Sequence, residues 1–203
     1  MHTVLVIVGT RPEAIKMVPV IRQLQNSKLL NVKLCVTGQH RELLDQVINL
    51  FGLIPDYDLN IMSKGQDLNN ITSRILCEIK PVLESCRPDV VLVHGDTTTA
   101  LASSLASFYN QIKIGHVEAG LRTNNKHSPW PEEMNRRLIG RLSDLHFAPT
   151  QAAYNILVNE GVCPDDVFIT GNTVVDNFLE VVRLLKDDTK LSDSLQKKFS
   201  FLA

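Results

Sequence analysis

Val90-Val91-Leu92-Val93-His94-Gly95-Asp96-Thr97-Thr98-Thr99 decides the fold. Four aliphatic residues run without a polar interruption, as in a strand covered on both faces by helices. Gly95 ends the run, and Asp96 and Thr97 stand where a helix N-cap belongs. The segment Thr99–Tyr109, rich in Ala, Ser and Leu, reads as a closely packed helix. Upstream the same strand–turn–helix unit recurs. Thr3–Val8 ends at Gly9, Pro12 suits a first helical turn, and Ile15, Val18, Ile21 and Leu24 give an apolar stripe at helical spacing. Val32–Thr37 and Arg41–Phe51 follow, closed by Gly52 as a C-cap. Tyr57–Asn60 reads as a short strand. Leu68–Arg87 is the longest helical pattern, which Pro81 is expected to kink or break. Downstream come a strand at Ile112–Val117, a polar stretch to Pro131, and helix Glu132–Leu142. His146–Ala148, Ala152–Glu160, Val167–Thr170 and Val174–Leu185 complete the alternation, before a charged, weakly helical tail, Lys186–Ala203. Such alternation predicts an α/β fold, a doubly wound parallel sheet with helices on both faces.

The totals agree with one soluble domain. A chain of 203 residues can bury roughly 70% of the surface it exposes when unfolded. Lys and Arg number 21 against 22 Asp and Glu, a formal net charge of -1, without the basic excess of a nucleic-acid-binding domain. No apolar run approaches the ~18 residues of a membrane span. The N-terminus lacks the basic region of a signal peptide. Cys35, Cys77, Cys86 and Cys163 are scattered and form no CxxC pair, as expected of free thiols in a reducing cytosol. No nucleic acid, no membrane and a cytoplasmic location are therefore expected.

In a doubly wound sheet, ligands bind at the carboxyl ends of strands. After the first strand comes Gly9-Thr10-Arg11-Pro12-Glu13-Ala14-Ile15-Lys16, which is neither GxGxxG nor a Walker loop. A glycine turn, a helix N-terminus, Arg11 and Lys16 favour an anionic group; a plain turn with two solvated cations is the alternative. After the fourth strand, Asp96 or Thr97 can serve as an N-cap, yet Gly95 also lets the backbone approach a ligand closely. After the fifth, Glu118 precedes the small residues Ala119 and Gly120. Ser128-Pro129-Trp130-Pro131 then presents Glu132 and Glu133 at a helix start, where the helix dipole favours negative charge. Asp96, Glu118 and Glu132 are thus expected at one edge with Arg11, Lys16 and Arg136. Clustered carboxylates raise one another's pKa, which suits proton transfer near neutral pH. A competing reading pairs His94 with Asp96 and His116 with Glu118 as metal ligands, since residues two apart on a strand share a face.

Gly9–Lys16, Thr37-Gly38-Gln39-His40-Arg41, Val93–Thr99, Gly115–Thr123, Ser128–Glu133 and Thr170-Gly171-Asn172-Thr173 occur in the order found in one family. Together they resemble the non-hydrolysing UDP-N-acetylglucosamine 2-epimerases, from Gly9 to about Asp176. The resemblance implies one Rossmann-like half of a glycosyltransferase-B-type, two-domain architecture. It implies interconversion of UDP-N-acetylglucosamine and UDP-N-acetylmannosamine by elimination and re-addition of UDP, with no metal or nicotinamide cofactor. It further implies a place in cell-surface polysaccharide biosynthesis and a homodimer for the full-length protein. By motif position it makes Asp96, Glu118 and Glu132 the acid/base carboxylates. Arg11, Lys16 and Arg136, with His94 and His116, become the substrate-binding set. Gln39, His40 and Glu133 match positions associated with an activating second substrate molecule. Residues 1–185 would form the N-terminal domain and 186–203 the start of an interdomain connection. The family's second domain, with its catalytic histidine, has no counterpart here, so these residues alone are expected to be inactive. A non-catalytic nucleotide-sugar-binding or pairing module, a hydrolysing relative and a metal-dependent hydrolase are the alternatives.

Overall fold

In the computed structural model, which describes residues 1–38, 41–63 and 65–199, β1 (His2–Val8) divides its side chains between two cores. Val4, Val6 and Val8 point to one face of the sheet, Leu5 and Ile7 to the other, the period of two that an extended chain imposes. Six further strands run parallel to it: β2 (Leu30–Val36), β3 (Tyr57–Asp58), β4 (Val90–His94), β5 (Lys113–Val117), β6 (Leu145–Ala148) and β7 (Val167–Ile169). Their spatial order is β3-β2-β1-β4-β5-β6-β7. The first core packs α1 (Arg11–Gln25) and α2 (Arg41–Leu50) on one face; α7 (Thr173–Asp187) returns to the same face and lies against α1. The second core packs α3 (Leu68–Cys86), α4 (Thr98–Tyr109) and α5 (Glu132–Leu142) on the opposite face. A short helix α6 (Gln151–Asn159) joins β6 to β7, and α8 (Thr189–Lys198) follows α7.

The chain therefore winds outward from β1 in two directions, and β1 and β4 flank the point where the winding reverses. Their pairing runs only from Val4↔Val90 to Val6↔Leu92, whereas β1 stays paired with β2 as far as Val8↔Val36. Beyond Val6 and Leu92 the two central strands part. A crevice opens there between the turns that follow them, the usual place for a ligand in such sheets.

The expected break at Pro81 does not occur; α3 is one helix. Pro81 and Cys77, whose carbonyl loses its usual donor, are both exposed, so water can replace the missing bond. Pro19 within α1 is accommodated differently. It deprives the Ile15 carbonyl of its N–H partner, and Asn177 of α7 supplies a side-chain N–H to that carbonyl at 2.5 Å. No helix among the described residues is long and apolar enough to cross a membrane.

Candidate active site at the parting of the central strands

Three turns meet at the crevice. The first follows β1. Gly9 has no room for a side chain, since a Cβ there would lie 2.1 Å from Thr99 Oγ1 and 2.4 Å from Thr37 Oγ1. Thr10 is the N-cap of α1, and Glu13 folds back to accept from the N–H groups of Gly9 and Thr10, a capping box. That bend leaves Arg11 exposed at the first position of the helix, with no ion pair among the described residues. One turn later Lys16 reaches over the sheet edge, its Nζ 2.8 and 2.6 Å from the two oxygens of Glu118.

Glu118 lies in the turn after β5, at φ 64, a left-handed conformation uncommon for residues other than glycine. The turn is pinned at Gly120, where an added Cβ would come within 2.4 Å of the Ala153 carbonyl oxygen. Beneath the turn lie two histidines. His94 is buried, with Nε2 3.8 Å from Glu118 Oε2 and no hydrogen-bond partner among the described residues. Burial and the charge of Lys16 push its pKa down to about 3. His116 is wholly buried, and its Nε2 is 2.7 Å from the Gly95 carbonyl oxygen. That acceptor places the proton on Nε2, and burial holds this pKa also at about 3. Both rings are therefore neutral at pH 7.

The third turn follows β4. Thr97, not Asp96, is the N-cap of α4: its hydroxyl accepts from the Ala100 N–H. Asp96 is thereby left to face the crevice. Arg136 Nη2 donates to Asp96 Oδ2 at 2.5 Å, and Asn135 Nδ2 holds the Asp96 carbonyl oxygen at 2.8 Å. Burial raises the Asp96 pKa, Arg136 opposes the rise, and the charges of Glu132 and Glu118 add to it. Asp96 thus feels both of the other carboxylates. Glu132 Oε2 and Arg136 Nε are both buried without a hydrogen-bond partner among the described residues. Orphaned polar atoms beside a crevice mark groups shaped for something other than the protein's own interior.

Glu133 points the other way. It is fully buried, accepts from the N–H groups of Thr123 and Asn124, and pairs with Arg137. Burial raises its pKa, but these donors together outweigh it and hold the carboxylate low. Its bonds tie the segment from Thr123 to Trp130 onto α5, so that Glu132 beside it meets the crevice. Gln39 and His40 lie outside the described residues.

The expected residues therefore separate by what they touch. Asp96, Glu118 and Glu132 gather at the parting strands; Arg136 holds Asp96 and Lys16 holds Glu118; Arg11 is exposed at the helix N-terminus with no ion pair among the described residues. His116 and Glu133 lie inside, bonded to the backbone of neighbouring turns. No group of three or more His, Cys, Asp or Glu converges in a metal-holding cluster among the described residues. Glu13, Thr97 and Asn135 join the site without having been singled out as part of it by sequence. Glu13 had a signal in the Thr10-x-x-Glu13 spacing of a capping box, but its bond to Thr97 depends on which strands are neighbours.

Comparisons with known proteins identify the family and the fold. Residues 22–203 match the family model for UDP-N-acetylglucosamine 2-epimerase. The chain is 58% identical over 191 residues to a probable UDP-N-acetylglucosamine 2-epimerase of Ralstonia solanacearum, covering 94% of this chain and 51% of that protein. It is 54% identical to the UDP-N-acetylglucosamine 2-epimerase of Escherichia coli strain K12, covering 98% of this chain and 53% of that protein. The crystal structure of UDP-GlcNAc 2-epimerase from Neisseria meningitidis bound to UDP-GlcNAc superposes with a TM-score of 0.94 at 52% identity. That match covers 98% of this chain and 53% of the other. A lipopolysaccharide outer core galactosyltransferase shares the fold alone, with a TM-score of 0.60 at 13% identity, covering 85% of this chain and 46% of that one. The chain spans about half the length of the curated relatives it matches.

Proposed function

The chain belongs to the UDP-N-acetylglucosamine 2-epimerase family, and from that premise we propose that it forms the acid/base wall of a site interconverting UDP-N-acetylglucosamine and UDP-N-acetylmannosamine. The activity is that of a complete protein in which residues 1–185 make one domain and 186–203 lead toward a second. Inverting carbon 2 without a redox cofactor requires a base to take its proton while UDP departs from carbon 1. UDP then returns to the 2-acetamidoglucal intermediate as a proton is delivered to the opposite face. Two acid/base groups and a positive rest for the departing diphosphate are needed.

The observation that carries this reading is the closeness of Glu118 and Glu132 to Asp96, whose pKa both charges raise, with Arg11 exposed at the start of α1. Arg11 offers the diphosphate a planar cation, and the dipole of α1 behind it favours negative charge. Lys16 and Arg136 hold two of the carboxylates in place by direct ion pairs. At Asp96, burial and the charges of Glu132 and Glu118 raise the pKa against the opposing Arg136, the direction that favours a carboxyl able to hold a proton. His94, with an unpartnered Nε2 next to Glu118, is placed to offer a neutral donor to substrate or carboxylate. His116 contributes through the Gly95 carbonyl.

The reading makes the 203-residue chain by itself a poor catalyst, since one wall cannot exclude water from the reacting carbon. Combined with the other half of the protein, it should epimerise UDP-N-acetylglucosamine. Asp96→Asn, Glu118→Gln and Glu132→Gln should each lower kcat by about 10²- to 10⁴-fold, the usual scale for losing a general acid or base. Turnover undiminished by all three substitutions would overturn the proposal. A cytosolic location and a homodimer are further parts of it, the second checked by sedimentation of the complete protein.

A further inference from the structure

Glu13 is not one of the carboxylates that face the crevice. It is 2% exposed, and its two oxygens serve two different turns. Oε2 accepts from the Gly9 N–H at 2.8 Å, the Thr10 N–H at 2.7 Å and the Thr10 hydroxyl at 2.9 Å. Oε1 accepts from the Thr97 hydroxyl at 2.5 Å. Because the Thr97 oxygen already accepts from the Ala100 N–H at 3.0 Å, its own proton is directed to Glu13. Four donors converge on the group, which suits a carboxylate and not a carboxylic acid.

These bonds cross a gap that the sheet does not close. The β1–β4 ladder ends at Val6↔Leu92, three residues short of Gly9 and of Gly95 in the numbering of each strand. The helices that follow leave on opposite faces. Backbone pairing therefore does not set the distance between the turn that bears Arg11 and the turn that bears Asp96. The geometry points to Glu13 as a positioning residue. Through Thr97, its ionised carboxylate clasps the two turns together and fixes the spacing between the diphosphate at Arg11 and the acid/base group at Asp96. The clasp deepens the functional reading above and rests on it. Burial raises the Glu13 pKa and the hydrogen bonds from Thr97, Gly9 and Thr10 oppose the rise, so the donors of both turns are what favour its charged form.

The test uses the complete protein. Thr97→Val keeps the shape but deletes the hydroxyl bridge; Thr97→Ser keeps both the bridge and the helix cap; Glu13→Gln replaces one acceptor oxygen with a donor. Thr97→Val and Glu13→Gln are expected to lower kcat by about ten- to a hundred-fold, the response to displacements of about 1 Å. The Kd for UDP, set on the Arg11 side, should stay within about three-fold, a change worth less than about 1 kcal/mol. Thr97→Ser should retain the parental kcat. Should Glu13→Gln fail to fold, Thr97→Val carries the test, since it leaves the bonds to Gly9 and Thr10 intact. Lower melting temperatures with kcat per folded molecule unchanged, or an equal loss in Thr97→Ser, would overturn the inference. If the parent binds UDP but does not epimerise its sugar, the functional reading fails and the clasp is judged by stability alone. Melting-temperature losses of Glu13→Gln and Thr97→Val that are smaller in combination than their sum support it; strictly additive losses refute it.

Discussion

Glu118 holds a left-handed backbone, an ion pair with Lys16 and a place above His94 at once. Non-glycine residues persist in such conformations only where the surroundings over-determine them, and here Gly120 wedged against Ala153 supplies the constraint. The neutral histidines below have their own consequence. Each titrates near 6.5 when unfolded and near 3 when folded, so below pH 6.5 the unfolded state binds the extra proton and stability falls as pH falls. At pH 5 each histidine should have cost about 2 kcal/mol relative to pH 7. Asp96 and Glu13, with raised values, work in the opposite sense, so the contribution of one ring is isolated by difference. His116→Asn, which keeps a side-chain N–H for the Gly95 carbonyl, should lose less stability than the parent between pH 7 and pH 5 in urea unfolding; identical losses would refute the assignment. At this scale the sequence showed which residues follow strands, and so pointed to Asp96 and Glu118, and which open a helix, and so pointed to Glu132. It did not show which carboxylates turn inward. Glu132 and Glu133 are adjacent in one motif, and only the loop from Thr123 to Trp130 decides that Glu133 is buried.

Prolines in helices separate what a single element reveals from what its neighbours decide. Pro81 and Pro19 carry the same local signal, a lost N–H and a ring in the path of a carbonyl. The exposed face of α3 leaves the first to water, while the half-buried face of α1 around Pro19 meets Asn177. Asn177 is 4% exposed, and α7 is thereby fixed one residue from Lys16. Asn177→Ala should destabilise the domain by about 1–3 kcal/mol, the cost of an unsatisfied buried polar group. Pro19→Ala restores the donor within α1, so the double variant should recover much of that loss in thermal unfolding. Equal instability of single and double variants would show that the Ile15 carbonyl is not the group at stake. The pairing of α7 with α1 was not legible in sequence, because it joins helices at the two ends of the chain; the alternation of strands and helices was, because it is written in local periodicity.

As a whole, the molecule is a seven-stranded parallel sheet wound from β1 in two directions, with the candidate site where the winding reverses. Doubly wound architecture follows from uninterrupted apolar strands such as Val90–Val93, but strand order does not, since it depends on which helices cover which face. Strand order is what gathers Arg11, Asp96 and Glu118 from distant parts of the chain. If those groups move a proton at carbon 2, the complete protein turning over UDP-N-acetylglucosamine in deuterated water must place deuterium there. The account predicts deuterium at carbon 2 of the UDP-N-acetylmannosamine formed, by NMR, and its loss in Asp96→Asn and Glu118→Gln. Epimerisation that leaves the original hydrogen at carbon 2 would contradict it.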